Sequence, residues 1–368
     1  FGATVNLKTI GLNKDAYTKT NNSFGSYNTL KNNVEFGTGL MGGKFAFDGR
    51  LSQITSDGYM DRASSDLKSF YLSIGYFGKT EILKAVMFSG HERTYQAWYG
   101  VPLNYLESNR TYNPYDYENE VDNYEQTHYQ LHYSKKANEN TNVNISGHYT
   151  HGEGYYEQFK GGEDLADYGL ENILIGNDTI TESNLIRRKW LNNDFGGFIF
   201  SLNHKMEKLN LTLGGASNRY SGQHYGNVIW AEYASNGNYE HEYYKNIATK
   251  FDHNVYLKAD YSLSANTNLY TDLQKRKVEY QFIGNVEDGN TAKQTVHLGF
   301  FNPKVGIHHS LNANQAVYAS FAVANREPNR NDFVESTPKS RPLHETLYDV
   351  EMGYQFLGEW ISFGANVY

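Results

Sequence analysis

Three kinds of side chain in this sequence are placed where they could act on another molecule. The clearest cations are Arg187-Arg188-Lys189 and the pair Arg326 and Arg330. A planar guanidinium fork suits a carboxylate or another oxygen-rich anion, and the plain alternative is a solvated surface charge. Aromatic residues crowd the same polar stretches, with Tyr95, Trp98, Tyr99, Tyr225 and Trp230 set deep in them. Such rings stack on flat ligands or sugars. Those near strand ends, such as Tyr149 and Tyr261, read instead as a belt at a membrane surface. Histidine is the third kind. His128 and His132 lie about 13 Å apart along an extended chain, too far to share an ion, and read as polar lining. His308 and His309 are adjacent and point to opposite faces, while His148 and His151 could approach each other in a loop, with structural roles. No carboxylate pair or Ser/His/Asp set sits in a recognisable framework, so neither catalytic residues, a metal site nor a cofactor is expected.

The elements that must carry these residues alternate. In Leu67 to Phe88, Phe70, Leu72, Ile74 and Tyr76 share one face, with Leu67, Ser69, Tyr71, Ser73 and Gly75 on the other. Period two means β-strand. The turn Phe77-Gly78-Lys79-Thr80-Glu81 then leads into Leu83, Ala85 and Met87, which makes an antiparallel hairpin. Similar hairpins recur to the last residue, giving roughly 15 strands.

Composition agrees. Mean hydropathy is strongly negative, yet 15% of the 368 residues are aromatic, with 32 Tyr. Apolar residues stand singly between polar ones, which fits a wall with one oily and one wet face better than a dense core. No run is long and apolar enough for a membrane-spanning helix, a test that alternating barrel strands escape. With no Cys, thiol catalysis and disulfides are out. A net charge of −8 argues against nucleic acid as partner.

Connections alternate between very short turns and long excursions, at about residues 90–124, 151–194, 219–252, 278–296 and 325–345. Long loops at every second connection all lie at one end of an up-and-down sheet. That is the habit of an outer-membrane barrel. A wet interior that wide needs water or a plug. An extracellular β-repeat array is the alternative, although no fixed period is present.

The residues resemble a TonB-dependent outer-membrane receptor. Phe1-Gly2-Ala3-Thr4-Val5-Asn6-Leu7-Lys8-Thr9 is similar to the last strand of that family's plug, giving a plug end at 1–10 and a barrel over 11–368. Gly25-Ser26-Tyr27-Asn28-Thr29 and Ser56-Asp57-Gly58-Tyr59-Met60-Asp61-Arg62 resemble its first two outer hairpins, and Thr94-Tyr95-Gln96-Ala97-Trp98 its third loop. Ala324-Asn325-Arg326-Glu327-Pro328-Asn329-Arg330-Asn331-Asp332-Phe333 and the stretch Leu343 to Tyr354 resemble its late-barrel boxes. The likeness is to Bacteroidetes-type receptors of the ferric-citrate and siderophore branch.

That resemblance implies an all-β transmembrane antiparallel barrel of roughly 22 strands, of which this chain is read as a fragment incomplete at its C-terminus. It implies import of a ferric siderophore or ferric citrate across the Gram-negative outer membrane, energised by the TonB–ExbB–ExbD complex. A surface lipoprotein is a possible further partner, and outer-membrane lipid and lipopolysaccharide surround the wall. The ligand residues read from the cations and loop aromatics above are Tyr95, Trp98, Tyr99, Arg187, Arg188, Tyr225, Trp230, Arg326 and Arg330. Haem, cobalamin or glycan import on the same fold stays open. So do a passive pore or adhesin barrel and a secreted carbohydrate-binding β-protein.

Overall fold

The computed structural model describes residues 13–233, 240–283, 293–337 and 339–368. The expected plug strand at 1–10 lies outside these residues. The strands are β1 (Ala16–Gly25), β2 (Thr29–Thr38), β3 (Phe45–Ser56), β4 (Ser65–Phe77), β5 (Glu81–Tyr95), β6 (Val121–Asn138) and β7 (Thr141–Asp164). After a small hairpin of β8 (Ile173–Ile175) and β9 (Asp178–Ile180) come β10 (Glu182–Lys205), β11 (Leu209–Ala231), β12 (His241–Ser262) and β13 (Thr267–Ile283). Then follow β14 (Lys293–Asn312), β15 (Gln315–Arg326), the single-turn helix α1 (Arg330–Val334), β16 (Glu345–Leu357) and β17 (Ser362–Val367). All but β8 and β9 form one sheet of 15 strands in chain order, each antiparallel to the next. Among the described residues no second layer lies behind it.

The pattern of side chains explains why the sheet stands alone. Ile74 and Leu131 are 56% and 52% exposed, while Ser73, on the opposite face, is 1% exposed. The apolar row runs from strand to strand: Phe45 faces Tyr76, Tyr76 faces Leu83, Leu83 faces Tyr133, Tyr133 faces Ile145, and Ile145 faces Phe200. Further along, Leu202, Leu213, Leu257 and Leu273 stand opposite one another in turn. Exposed aliphatic side chains in a continuous band need a lipid solvent. From β2 to β16 each strand of the sheet is paired on both sides, so that stretch of wall can stand in hydrocarbon. We call this face outer. The inner face is polar and self-bonded: His132 reaches Ser146 at 2.9 Å, Asn144 reaches Ser201 at 3.2 Å, and His148 reaches Asn218 at 2.9 Å.

Short connections, 39–44, 78–80, 139–140, 206–208, 263–266, 313–314 and 358–361, share one end of the sheet. The opposite end, the mouth, carries 26–28, 57–64, 96–120, 165–181, 232–233 and the described part of 327–344. The first of these is tight, with Tyr27 and Asn28 at φ 59° and 52°. The excursions read from sequence are therefore overlong. β7 and β10 each hold 24 residues and β11 holds 23, far more than the roughly 9–11 that cross a bilayer. The residues between 151 and 194 and between 219 and 252 are largely strand that stands above the apolar band. Apart from Ile247, their outward positions are mostly polar or aromatic, so the period-two signal was masked. His148 and His151 lie on β7 facing opposite ways, one bonded to Asn218 and the other to Asp194; they do not meet in a loop.

Candidate functional site

Two mouth connections fold onto the inner face, each held by a small apolar cluster. In 165–181, the Asp164 carboxylate accepts from the Ala166 N–H at 2.9 Å and opens a tight turn, which Gly169 closes at φ 62°. Leu165, Tyr168 and Leu170 then pack on Leu185 and Val228. The turn delivers the Tyr168 hydroxyl to Arg187, whose Nη1 donates to it at 2.9 Å, while Tyr168 donates to Glu163 at 2.7 Å. Burial and the Glu163 carboxylate both push the Tyr168 phenol well up. The other Arg187 nitrogen donates to Gln158 at 3.1 Å, and its Nε is buried without a partner.

The second connection, 327–344, carries α1. Its Phe333 is buried against Phe282 and Val296. Glu327 is clamped by Lys250 at 2.6 Å and by Arg276 at 3.1 Å, and Arg276 also pairs with Asp252 at 2.5 Å. These pairs place Arg330 on the inner face against the Tyr280 phenol, with Tyr220 and His224 within reach of its charge. A cavity of about 280 Å³ opens there, lined by Tyr220, Lys250, Tyr280, Leu298, Glu327 and Arg330. With Lys250 already paired to Glu327, the Arg330 guanidinium and two phenols around one space suit an anionic, oxygen-rich guest.

The third connection, 96–120, forms the rim over β5, β6 and β7. Arg62 ties it down by donating to the Tyr115 and Asn113 carbonyls at 2.8 and 2.7 Å. Asn113 donates to the carbonyls of Asp61 and Gln96, both at 2.9 Å. Trp98 meets Tyr115 and Tyr156 edge-on, and Tyr99 meets Tyr115 at 5.3 Å, yet Trp98 and Tyr99 remain 52% and 62% exposed. Burial, with Tyr99 beside it, pushes Tyr115 up to about 12, and burial with the Glu157 hydrogen bond does the same to Tyr117. Burial, with the Asp116 charge adding to it, carries Glu120 up to about 7.

Not every residue singled out from sequence stands at the mouth in the expected way. Trp98 and Tyr99 sit together on the rim, and Arg187 and Arg330 face inward. Tyr95 is buried, donating to the Tyr117 carbonyl at 2.8 Å. Arg188 faces outward, bonded to Glu157 at 2.7 Å and lying over the Tyr155 ring. Tyr225 and Trp230 are on β11 rather than in a loop, and Tyr225 lies parallel to Trp190 at 5.8 Å on the outer face. Arg326 ends β15 and reaches Glu345 at 3.8 Å. Nothing in the sequence singled out Lys250, Arg276 or Tyr280 as site residues. Even positions of β11 and β13 keep alternating through Tyr220, His224, Arg276 and Tyr280, a signal that the polar outward neighbours obscure.

Wall, band and mouth define an antiparallel outer-membrane barrel. No family model matches the sequence, and no curated protein matches it either. Solved structures do match. The ferric-catecholate import receptor Fiu of E. coli K12 superposes with a TM-score of 0.68 at 13% identity, over 94% of this chain and 56% of that one. The ferric citrate transporter FecA gives 0.66 at 13% identity, over 95% and 50%. The copper transporter OprC gives 0.71 at 11% identity, over 98% and 54%. The fold is that of the barrel of TonB-dependent outer-membrane receptors. This chain spans about half the length of those structures.

Proposed function

We propose that the chain is the barrel part of a receptor that imports a metal complex across the Gram-negative outer membrane, most specifically a ferric siderophore or ferric citrate. One observation carries this reading: the inward-turned 327–344 loop brings Arg330 beside the Tyr220 and Tyr280 phenols and Lys250 of the inner wall, over a cavity. Ferric chelates are commonly anionic and too bulky for passive diffusion, so a charged, aromatic vestibule suits them. Solved structures of this fold include receptors described as importing ferric catecholates or transporting ferric citrate or copper. In this reading Trp98 and Tyr99 make first contact at the rim. Arg187 and Arg330 hold the bound chelate, and Arg188 and Tyr95 keep the rim in shape. The remaining residues proposed from sequence, Tyr225, Trp230 and Arg326, have weaker support, since they lie on the wall or its edge.

Energy would come from the TonB–ExbB–ExbD complex acting on a plug that residues 1–10 would end. A cell lacking the gene should fail to grow on one ferric chelate as sole iron source and grow normally on haem, cobalamin or glycan supplements. Growth loss confined to a haem, cobalamin or glycan source would move the ligand assignment to that class. Unchanged growth on all of them would overturn the import reading.

A further inference from the structure

A hollow of about 770 Å³ lies on the inner face of β3, β4, β5 and β6, with β7 and β10 between it and the Arg330 cavity. Three successive rows of paired residues shape it. The lower row, on the side of the short turns, is unsaturated: Tyr71 faces Phe88 and Phe88 faces His128. The last two rings stack at 4.3 Å with 14° between their planes. The middle row is short, with Ser52, Ser69 and Gly90 opposite one another and Gln126 next. The upper row rises again through Ile54, Leu67 and Tyr124. Tall rows on either side of a short one leave a trough, about 14 Å long across three strand spacings. Its far end is fixed: His128 is bonded to Thr150 at 2.9 Å, and Tyr124 lies against Gly152 and Gly154, where any Cβ would strike it.

The charges of the trough stand at opposite corners. Arg50 is at the lower corner on β3 and Glu92 at the upper corner on β5. Among the described residues neither has an ion-pair partner. Lys68 and His91 also border the hollow, but they belong to the outer face, where they bond to Asp66 and Asn123, both at 2.8 Å. Arg50 and Glu92 are two strands and four residues apart, about 16 Å between their backbones. Three to four extended residues reach that far once the two side chains close the ends. An unpaired cation and an unpaired anion at the ends of an apolar trough complement a guest that carries one charge of each sign. The serines and the Gln126 amide offer partners to its peptide groups. A polyanionic chelate fits only the Arg50 corner and is opposed by Glu92.

We infer that this trough binds a short apolar zwitterionic peptide, its carboxylate on Arg50, its amine on Glu92 and an aromatic side chain against Phe88 and His128. The site is separate from the Arg330 cavity and does not rest on what that cavity takes. Equilibrium dialysis of leucyl-tryptophyl-leucine against the whole receptor in phospholipid nanodiscs, with empty nanodiscs subtracted, provides the test. Wild type should hold the free tripeptide roughly tenfold more tightly than its N-acetyl or its C-amide form, since each cap removes one terminal charge. Glu92→Gln should erase only the discrimination against the N-acetyl form, and Arg50→Gln only that against the C-amide form. A general loosening of the wall does not produce that crossed pattern. Gly90→Leu should fill the trough and weaken all three forms alike; a Cβ there meets nothing within 4 Å, so the barrel has room for it. The heat-modifiable gel shift of the folded barrel reports folding separately, and Arg330→Ala should bind the tripeptide as wild type does. Absence of saturable binding by wild type, or equal affinity for the free and capped forms, would overturn the inference. So would binding that is lost in Arg330→Ala and kept in Gly90→Leu.

Discussion

The Arg188 guanidinium donates to Glu157 Oε2 at 2.7 Å while the Tyr117 hydroxyl donates to the other oxygen of the same carboxylate, also at 2.7 Å. Glu157 on β7 thereby ties the wall strand β10 to the rim loop, with its side chain only 4% exposed. A buried carboxylate that loses one of two charge-assisted partners costs more than the bond itself. Arg188→Ala should destabilise the 96–120 loop by about 2–3 kcal/mol and speed its cleavage by added protease. Arg188→Lys should restore only part. Unaltered cleavage in Arg188→Ala would contradict this role.

Glu120 gives the same loop a pH dependence. Its folded value of about 7 lies above its ordinary 4.5 because burial penalises the carboxylate. The stability associated with the neutral acid is complete below about pH 4.5 and is lost as pH rises through 7, since the unfolded loop then releases the proton more easily. Amide protection factors across 96–120, exchange rates divided into those of the unstructured chain at the same pH, should be highest in acid and fall up to about neutrality. Glu120→Gln should flatten that profile, and a slope of the opposite sign would refute it.

Glu327 holds the inward loop by accepting from both Lys250 and Arg276. Glu327→Ala leaves Lys250 without that partner, while Arg276 keeps Asp252. Opening of 327–344 should become easier by about 2 kcal/mol, seen as faster exchange in α1 with no change in the exchange of β12 or β13. Equal loosening of those strands would mean that the ion pairs support the wall instead.

Arg330→Ala should weaken binding of an anionic ferric chelate by roughly tenfold or more, the usual cost of removing a desolvated cation from an anion site. Trp98 fluorescence provides the readout, since the ring is exposed on the rim. Arg326→Ala, at the edge of the mouth, should change it little. The reverse ranking would move the site from the inner cavity to the rim.

Much of the wall was legible because lipid enforces strict alternation: β4 and β5 show the faces that Leu67 to Phe88 spell out. Above the band that constraint ends, and both faces meet water or loops. Asn192, Asp194, Gln223 and His224 then read as loop although they are strand, and their hydrogen bonds come from neighbours distant in sequence. The inward fold of 165–181 and 327–344 was illegible for a related reason. Leu165, Tyr168 and Phe333 are single apolar residues in polar stretches, and only the curvature of the sheet brings Leu185 or Phe282 beneath them. The choice among cations also needed coordinates, because neighbours such as Arg187 and Arg188 face opposite sides of one wall.

The central claim is a lipid-facing band with the long connections on the cell exterior and the short turns within. With no native Cys, single cysteines can map it in intact cells using a membrane-impermeant maleimide. Ser108→Cys in the rim loop should label at once, Ala313→Cys in the turn between β14 and β15 only after the outer membrane is permeabilised, and Leu131→Cys in neither case. Labelling of Ala313→Cys in intact cells at the rate of Ser108→Cys would contradict the orientation, and ready labelling of Leu131→Cys would contradict the band itself.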